Sequence, residues 1–557
     1  MRIVLLICFA LALGGCALFD GMGDSDASAD AGPTDAVTAG DAEDADTAPA
    51  DTASEDSISE DAGDSSDAED TADAVDESLG ELAFSAGLEQ MALWVGESSS
   101  LLNVEARDWD GELLTLQPGD LRWRVEPEAL IALSDCTAQG CRITAVRSGV
   151  TTLYAEADGF RGTSLEIEGV GWQMVEADER VTCAINTRGT LYCWGVNTLG
   201  ILGNGTQTGG EVLPQRVGQA HEPWRTVSLG SGFTNEVYGA ACAVSVGGEI
   251  YCWGDNTTGR LGIGTTDSQF EPTHIASDSH EWAQVSVGSA TTCAVTTSHE
   301  IYCWGRGSAG ELGTDPIPTE FTENLAPNLA VAQIDGVPWS DVHVSYSSVY
   351  ARTTAPANAN LFAWGYSYLG AGSMELANTP IEIGNYHFVQ VDAGRNHRCA
   401  IGGSGKVYCW GSNRQFRVIN EPGCGNAPEY SICTPTEVPE LTGAAIDLGV
   451  GPTHTCAVVA PDESGSAPHR IQCWGLNEYG QLGNGERPIE LVVTYAAEGG
   501  VESEEDWSSV SAGVRHTCAI TQAGKLFCWG ELLTGFDNGQ PSFQVKTQPT
   551  QVANPRL

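Results

Sequence analysis

The chain is short of positive charge. Its 557 residues hold 25 Lys and Arg against 75 Asp and Glu, a formal net charge of −50. A surface of that sign repels nucleic-acid phosphates, and no basic stripe interrupts it, so no nucleic-acid partner is expected. Catalytic signatures are missing too. There is no phosphate-cradling glycine loop, no Gly-x-Ser-x-Gly elbow and no zinc-protease helix. Asp and Glu are plentiful but fall in loops without a distinctive pairing, so neither catalytic residues nor a cofactor nor a metal is expected. Long apolar runs are absent as well. Ile3 to Leu13 is about half the length that spans a bilayer.

What the chain does have is a repeat. Thr182-Cys-Ala-Ile-Asn-Thr-Arg-Gly-Thr-Leu-Tyr-Cys-Trp-Gly195 returns in variant form six more times. Its closing Trp-Gly pair stands at Trp194, Trp253, Trp304, Trp364, Trp410, Trp474 and Trp529, at intervals of 46 to 64 residues. A period of this size marks a stacked or circular array. In the first unit a hairpin centred on Arg188-Gly189 sets Cys183 opposite Cys193 and Ile185 opposite Leu191 on one side. Ala184 then faces Tyr192, and Thr182 faces Trp194, on the other. Both sides are largely apolar, so the hairpin must be covered on both faces, as in a sheet flanked by two others.

Two further strands flank this hairpin. Trp-x-x-Val stands upstream at Trp224–Val227, Trp282–Val285 and Trp507–Val510. Beyond it lies Pro-x-x-Val/Ile, at Pro214–Val217, Pro272–Ile275, Pro380–Ile383 and Pro435–Val438. Proline is tolerated at a strand's first residue. Four strands in seven units predict an all-β chain with a seven-bladed β-propeller over residues 171–557. The Asn-x-x-Gly-x-Leu-Gly stretches at 197–203, 256–262 and 477–483 read as connections from one blade to the next. The first unit has no preceding Pro-x-x-Val strand, and the chain finishes on Pro549-Thr-Gln-Val552. That last strand is expected to complete the first blade and close the ring.

Gly394-Arg-Asn-His-Arg-Cys-Ala400 with Tyr408-Cys-Trp-Gly411, and Gly513-Val-Arg-His-Thr-Cys-Ala519 with Phe527-Cys-Trp-Gly530, resemble repeats of the regulator of chromosome condensation family in its secreted bacterial form. Blade four departs most, reading Leu361-Phe-Ala-Trp-Gly365 without cysteines, and blade six has Gly443 where the strand tryptophan is expected. Eukaryotic relatives are known for chromatin binding and guanine-nucleotide exchange. An exported acidic protein meets neither target, so that activity is not carried over.

The N-terminal part reads as export and tether. Arg2, the apolar run and Gly14-Gly15 before Cys16 form a signal peptide over 1–16. Leu13-Gly-Gly-Cys16 resembles a bacterial lipobox, which makes Cys16 the lipidated N-terminus, and Ala17 after it points to the outer membrane. Residues 17–80 hold 21 acidic residues and no Lys or Arg. That composition does not fold and gives an acidic linker of roughly 45 Å root-mean-square span. Residues 81–170 alternate as short strands, such as Leu121–Val125, Cys141–Val146 and Thr151–Ala155, with turns at Asp110-Gly111, Pro118-Gly119 and Asp158-Gly159. This suits a small β-sandwich. Val95–Ser98, Asp108–Gly111 and the Ala145–Ala155 segment resemble bacterial immunoglobulin-like domains.

Beyond Cys8 and Cys16, sixteen cysteines fall into eight close pairs. Six lie within blades: Cys183–Cys193, Cys242–Cys252, Cys293–Cys303, Cys399–Cys409, Cys456–Cys473 and Cys518–Cys528. Cys136–Cys141 staples the sandwich, and Cys424–Cys433 a loop between blades five and six. Opposed strand positions lie within disulfide range, which implies an oxidising compartment. His397, His454 and His516 each precede a cysteine by two residues. They recur at one repeat position, which favours side chains bonding a neighbouring turn over zinc ligands. Asp255-Asn-Thr-Thr-Gly259 suggests calcium but falls on a repeat turn.

The loops carry the variation. Thr353–Asn360, Pro461–Arg470 and Ala496–Asp506 should share one face of the ring, with Ser412–Thr434 on the other. The function expected is a non-enzymatic cell-envelope lipoprotein that presents the ring to a protein or glycan of the envelope or exterior, touching membrane through its lipid anchor only. The alternatives are an extracellular polysaccharide hydrolase, which needs two carboxylates about 5–10 Å apart in a cleft, and a secreted-enzyme inhibitor. Secreted β-lactamase inhibitor proteins resemble this propeller.

Overall fold

The computed structural model describes residues 79–556 except positions 109, 118, 231–238, 277–279, 315–323, 330–337, 355–360, 373–375, 414–430, 440, 461–466, 488–492, 495–499 and 502. The signal, Cys16 and nearly all of the acidic linker therefore lie outside the described residues. Val75–Leu557 forms one compact unit. It holds a two-sheet sandwich and seven four-stranded sheets.

The sandwich follows from period-two patterning. Leu102–Arg107, Gly149–Glu156 and Thr163–Val170 alternate buried with more exposed residues. The buried set, including Phe84, Val104, Ile143, Leu153 and Ile167, fills the space between the sheets.

Each propeller blade is a run of four consecutive antiparallel strands. Blade one consists of Trp172–Asp178, Val181–Asn186, Leu191–Thr198 and Thr208–Arg216. Blade seven consists of Trp507–Ala512, His516–Thr521, Leu526–Asp537 and Gln540–Gln551. The hairpin register sets Cys183 against Cys193 and Thr182 against Trp194, and every residue of Val181–Asn186 is buried. Its two sides pack into two different clusters. Cys183, Ile185 and Cys193 meet Trp224, Ala241 and Trp253 of blade two, while Ala184 and Tyr192 meet Trp172, Cys518 and Cys528. The core therefore lies in the seams between blades.

The Trp-Gly glycine recurs because the backbone demands it. In all seven blades its φ lies between 95° and 118°, a region costly for L side chains. A Cβ there would stand 2.1–2.8 Å from the facing second strand or the turn before it.

Four expectations are corrected. The Pro-x-x-Val strand pairs with the third strand of its own unit, Tyr192 opposite Arg216 and Phe527 opposite Gln551. Pro549 therefore belongs to blade seven, and no strand is lent across the closure. A repeat read as a circular pattern has no phase, and the short local hairpin fixes it. For the same reason Asn197–Gly203 joins the third and fourth strands within a blade. It still serves the next blade, because the Ile201 carbonyl accepts the Trp253 indole N–H at 2.8 Å. Finally, the prolines sit inside these outermost edge strands, as Pro214 does in Thr208–Arg216, where a missing N–H faces away from the ladder. In blade six the tryptophan position is Ala445 rather than Gly443. Ala445 pairs with Val459 before the strand's register shift, as Trp224 pairs with Ser245.

The sandwich is docked on the ring. Trp94 and Trp172 lie 4.9 Å apart, centroid to centroid, with Tyr192 edge-on to both. The Ser148 N–H donates to Ala523 O at 3.2 Å, and the Trp172 N–H to Gly524 O at 2.8 Å. The sandwich thus covers the meeting place of blades seven and one.

Candidate functional site

The first strand of every blade lines a central channel, with a cavity of about 640 Å³. One register position of that strand reads Glu176, Ser228, Ser286, His343, Asp392, Gly449 and Ser511 around the ring. Its side chains stitch neighbouring blades together. Ser228 Oγ accepts the Val287 N–H at 3.0 Å, Ser286 Oγ the Val344 N–H at 2.9 Å, and Asp392 Oδ2 the Val450 N–H at 2.7 Å. Glu176 accepts the Leu229 N–H, and Ser511 Oγ accepts the Ala177 N–H at 2.8 Å. At Gly449 a Cβ would come within 2.8 Å of the Val510 carbonyl. There Asp447 takes the Val510 N–H instead, at 2.8 Å. At His343 the pattern breaks, and the Ala393 N–H bonds Asp392 of its own strand at 2.7 Å.

Burial pushes the carboxyls of Glu176, Asp392 and Asp447 above their ordinary values, Glu176 furthest, with mutual repulsion helping at Glu176 and Asp447. Burial alone would also raise Asp341, but His343 and the Arg352 guanidinium beside it hold it well below the usual range. Glu176, Asp392 and Asp447 thus bring carboxyls into one cavity. Their oxygens, however, are engaged in the architecture. Asp392 accepts two backbone N–H groups, and Asp447 accepts one plus the Gln390 amide at 2.9 Å.

A second circle of contacts lies just outside. His397, His454 and His516 approach the hydroxyls of Thr455, Thr517 and Thr182 on the next blade at 2.6, 2.7 and 2.9 Å. They thus bond a neighbouring strand rather than a turn. The Thr517 hydroxyl donates to Gln481 O at 2.7 Å, so the His454 Nε2 carries the proton that this hydroxyl accepts. Burial lowers all three histidines, His454 to about 3 and His516 to about 4. They are neutral seam pins. Among the described residues no group of His, Cys, Asp and Glu could hold a metal ion. Asp255 instead forms a buried ion pair with Arg260.

The mouth of the channel, on the face carrying the turns between first and second strands, gathers arginines beside the acids Asp178, Glu179 and Glu531. Arg395, Asn396, Arg515, Tyr346 and Glu179 line it. Arg395 lies 4.7 Å over the Tyr346 ring, Arg515 4.6 Å over Tyr479 and Arg180 4.6 Å over Phe543. Burial and Asp178 raise the Glu179 carboxyl, while Arg180, Arg515 and Arg395 all pull it down, so all three fields reach it. These arginines went unnoticed as a site in the sequence. The signal was the short turn before the repeat histidine, Gly394-Arg395-Asn396-His397 and Gly513-Val514-Arg515-His516, which carries an arginine at its second position in one blade and its third in the other.

The cysteines stay apart from this mouth. Disulfides join Cys136–Cys141, Cys183–Cys193, Cys242–Cys252, Cys293–Cys303, Cys399–Cys409, Cys456–Cys473 and Cys518–Cys528. Cys433 is buried, and Cys424 lies outside the described residues. Blade four sets Tyr350 against Ala363 at the corresponding place. Most of Thr353–Asn360 and Ser412–Thr434, and parts of Pro461–Arg470 and Ala496–Asp506, also lie outside the described residues. Asp506 accepts the His469 N–H at 2.9 Å, which sets those two segments side by side.

Comparison with known proteins agrees with this geometry. Two models of the regulator of chromosome condensation (RCC1) repeat match, one at residues 188–235, 247–295 and 470–520, the other at 282–311, 388–416 and 507–539. The human E3 ubiquitin-protein ligase HERC2 is 28% identical over 348 residues, 61% of this chain but only 7% of that protein. The Ultraviolet-B receptor UVR8 of Arabidopsis thaliana is 28% identical over 303 residues, covering 52% of this chain and 63% of the receptor. Prp20p from Saccharomyces cerevisiae superposes with a TM-score of 0.52 at 17% identity, over 69% of this chain and 88% of that one, a likeness of fold. The ring described above is a seven-bladed propeller, and regulator of chromosome condensation repeats are matched within it.

Proposed function

We propose that this protein is a non-enzymatic binding scaffold of the cell envelope, exported, anchored to the outer membrane through lipidated Cys16 and carrying its ring on the acidic linker. The partner is a protein or glycan of the envelope or exterior. The observation that carries the reading is the use made of the channel carboxylates. Asp392 and Asp447 serve as hydrogen-bond acceptors between blades, which leaves the rigid turn faces as the surfaces offered outward. The relatives support a binding role in general terms, since UVR8 is named as a receptor. Prp20p is described by its binding to Gsp1p and histones. Those partners are not carried over to a chain of net charge −50. The test presents the full, disulfide-intact chain to fractionated envelope proteins and glycans. Saturable binding to one component without its chemical change is expected. Cleavage of a glycan, or no binding in any fraction, would overturn the reading.

A further inference from the structure

Resting on the scaffold reading, the geometry points to the channel mouth as a docking site for an acidic peptide segment of a protein partner, its carboxylates held by Arg395 and Arg515.

The charge is local and against the trend. Residues 81–557 carry 54 Asp and Glu against 24 Lys and Arg, yet the first turns of blades one, five and seven bring Arg180, Arg395 and Arg515 to one opening. Each guanidinium is laid over an aromatic ring of a neighbouring element. Stacking fixes the plane of the group and leaves its N–H edge for a two-pronged grip on a carboxylate. The existing partners do not use that capacity up. Arg515 and Arg180 share one oxygen of Glu531, at 3.1 and 3.8 Å. Arg395 is exposed and has no ion pair among the described residues.

A second observation lies behind the wall. Arg398 is 1% exposed. Its Nη2 donates to Ser345 Oγ at 2.9 Å and Ser348 Oγ at 2.5 Å, and Ser345 lines the channel. Its Nε and Nη1 have no hydrogen-bond partner among the described residues, and its guanidinium lies 5.4 Å from the centre of the Tyr350 ring. A buried cation without a counter-charge is costly, and an anion at the mouth relieves it across a low-dielectric wall.

The throat decides what kind of anion fits. Glu176, Asp392 and Asp447 line the same cavity, and whichever of them is ionised repels a small anion that moves inward. Arg395 and Arg515 come from blades five and seven, with blade six between them, which favours carboxylates spaced along a chain over one small anion. Asp178, Glu179 and Glu531 offset much of the arginine charge and keep the grip modest.

The test is calorimetric titration of the full chain with a hexaglutamate peptide, at low salt and at physiological salt. Saturable binding that weakens with salt is expected. Arg395→Gln with Arg515→Gln should weaken it by roughly tenfold or more, as expected for losing hydrogen bonds to charged groups. Arg395→Lys, which keeps charge but loses the fork, should weaken it to a lesser extent. Lys525→Gln, on the opposite turn face, should leave it unchanged, and circular dichroism should show all variants folded. The proposal is overturned if the wild type shows no saturable binding, if the double variant binds as the wild type does, or if inorganic phosphate competes as well as the peptide. An envelope partner that still binds the double variant would sink this site and leave the scaffold reading standing. Peptide binding with no envelope partner in any fraction would do the reverse.

Discussion

The Ser511 hydroxyl oxygen accepts the Ala177 N–H at 2.8 Å, joining positions 334 residues apart. This is the bond of an ordinary seam, of the kind made by Ser228 to Val287, repeated where the chain's end meets its beginning. The ring closes by the same side-chain contacts that hold its other blades together. Ser511→Ala should therefore cost about 1–3 kcal/mol, the penalty of a buried N–H left without an acceptor. Ser228→Ala should cost about as much. Denaturant unfolding measures both, and a Ser511 variant with unchanged stability would refute the equivalence.

The histidine pins make a prediction with a definite sign. His516 titrates near 6.5 when unfolded and at about 4 in the fold. The unfolded chain thus binds more protons as the pH falls through that window, and the stability His516 provides at neutral pH is lost on acidification. Glu176, Asp392 and Asp447 are shifted upward. Their contribution runs the other way, lost as pH rises through their folded values. The histidine part is isolated by difference. His516→Asn should be less stable than wild type at pH 7, and the gap should narrow towards pH 4.5. A gap independent of pH would mean that His516 is not held neutral.

Blade four should open first. It has Tyr350 and Ala363 where six other blades have a disulfide. At its seam with blade five the Trp410 indole N–H is buried without a partner among the described residues. Native-state hydrogen exchange should show the amides of Ser348–Thr353 and Phe388–Ala393 exchanging before those of Val181–Asn186. After reduction the difference should shrink, since each 11-residue loop released costs about 3 kcal/mol in the chain-entropy model.

Trp94→Ala should cost about 3–5 kcal/mol, the range for truncating a fully buried aromatic, because Trp94 is 1% exposed and stacked on Trp172. Trypsin sensitivity of the sandwich should rise with it. An unchanged unfolding midpoint would show that the sandwich is held by its other contacts.

The register of six blades was legible because paired cysteines mark directly opposed positions, Cys183 with Cys193 and so on. Trp-Gly was legible because one backbone geometry admits only glycine there. The assignment of Pro549 was not legible, because periodicity gives a repeat's length without its starting point. Hydrogen-bonded pairing, Phe527 with Gln551, supplies that. The mouth was hidden for a different reason. Arg395 meets Tyr346, and Arg515 meets Tyr479, across blade boundaries, and nothing in either segment alone announces the pairing.

That every blade is one uninterrupted stretch of chain bears on how the protein is made. Each sheet can form, and each Cys pair oxidise across ten residues or, in blade six, seventeen, as soon as its own segment has been synthesised. Strand pairing in the ring never has to wait for a distant partner, which keeps the slow, long-range steps of β-protein folding few. What must await the last blade is its docking: the arrival of His516 and Ser511 beside Thr182 and Ala177, and of Ala523 beside Ser148 of the sandwich. The ring is thus assembled in order from its first blade and needs only a final docking to become a circle. The same property would let a blade be duplicated or lost in evolution without unpairing any strand of the others.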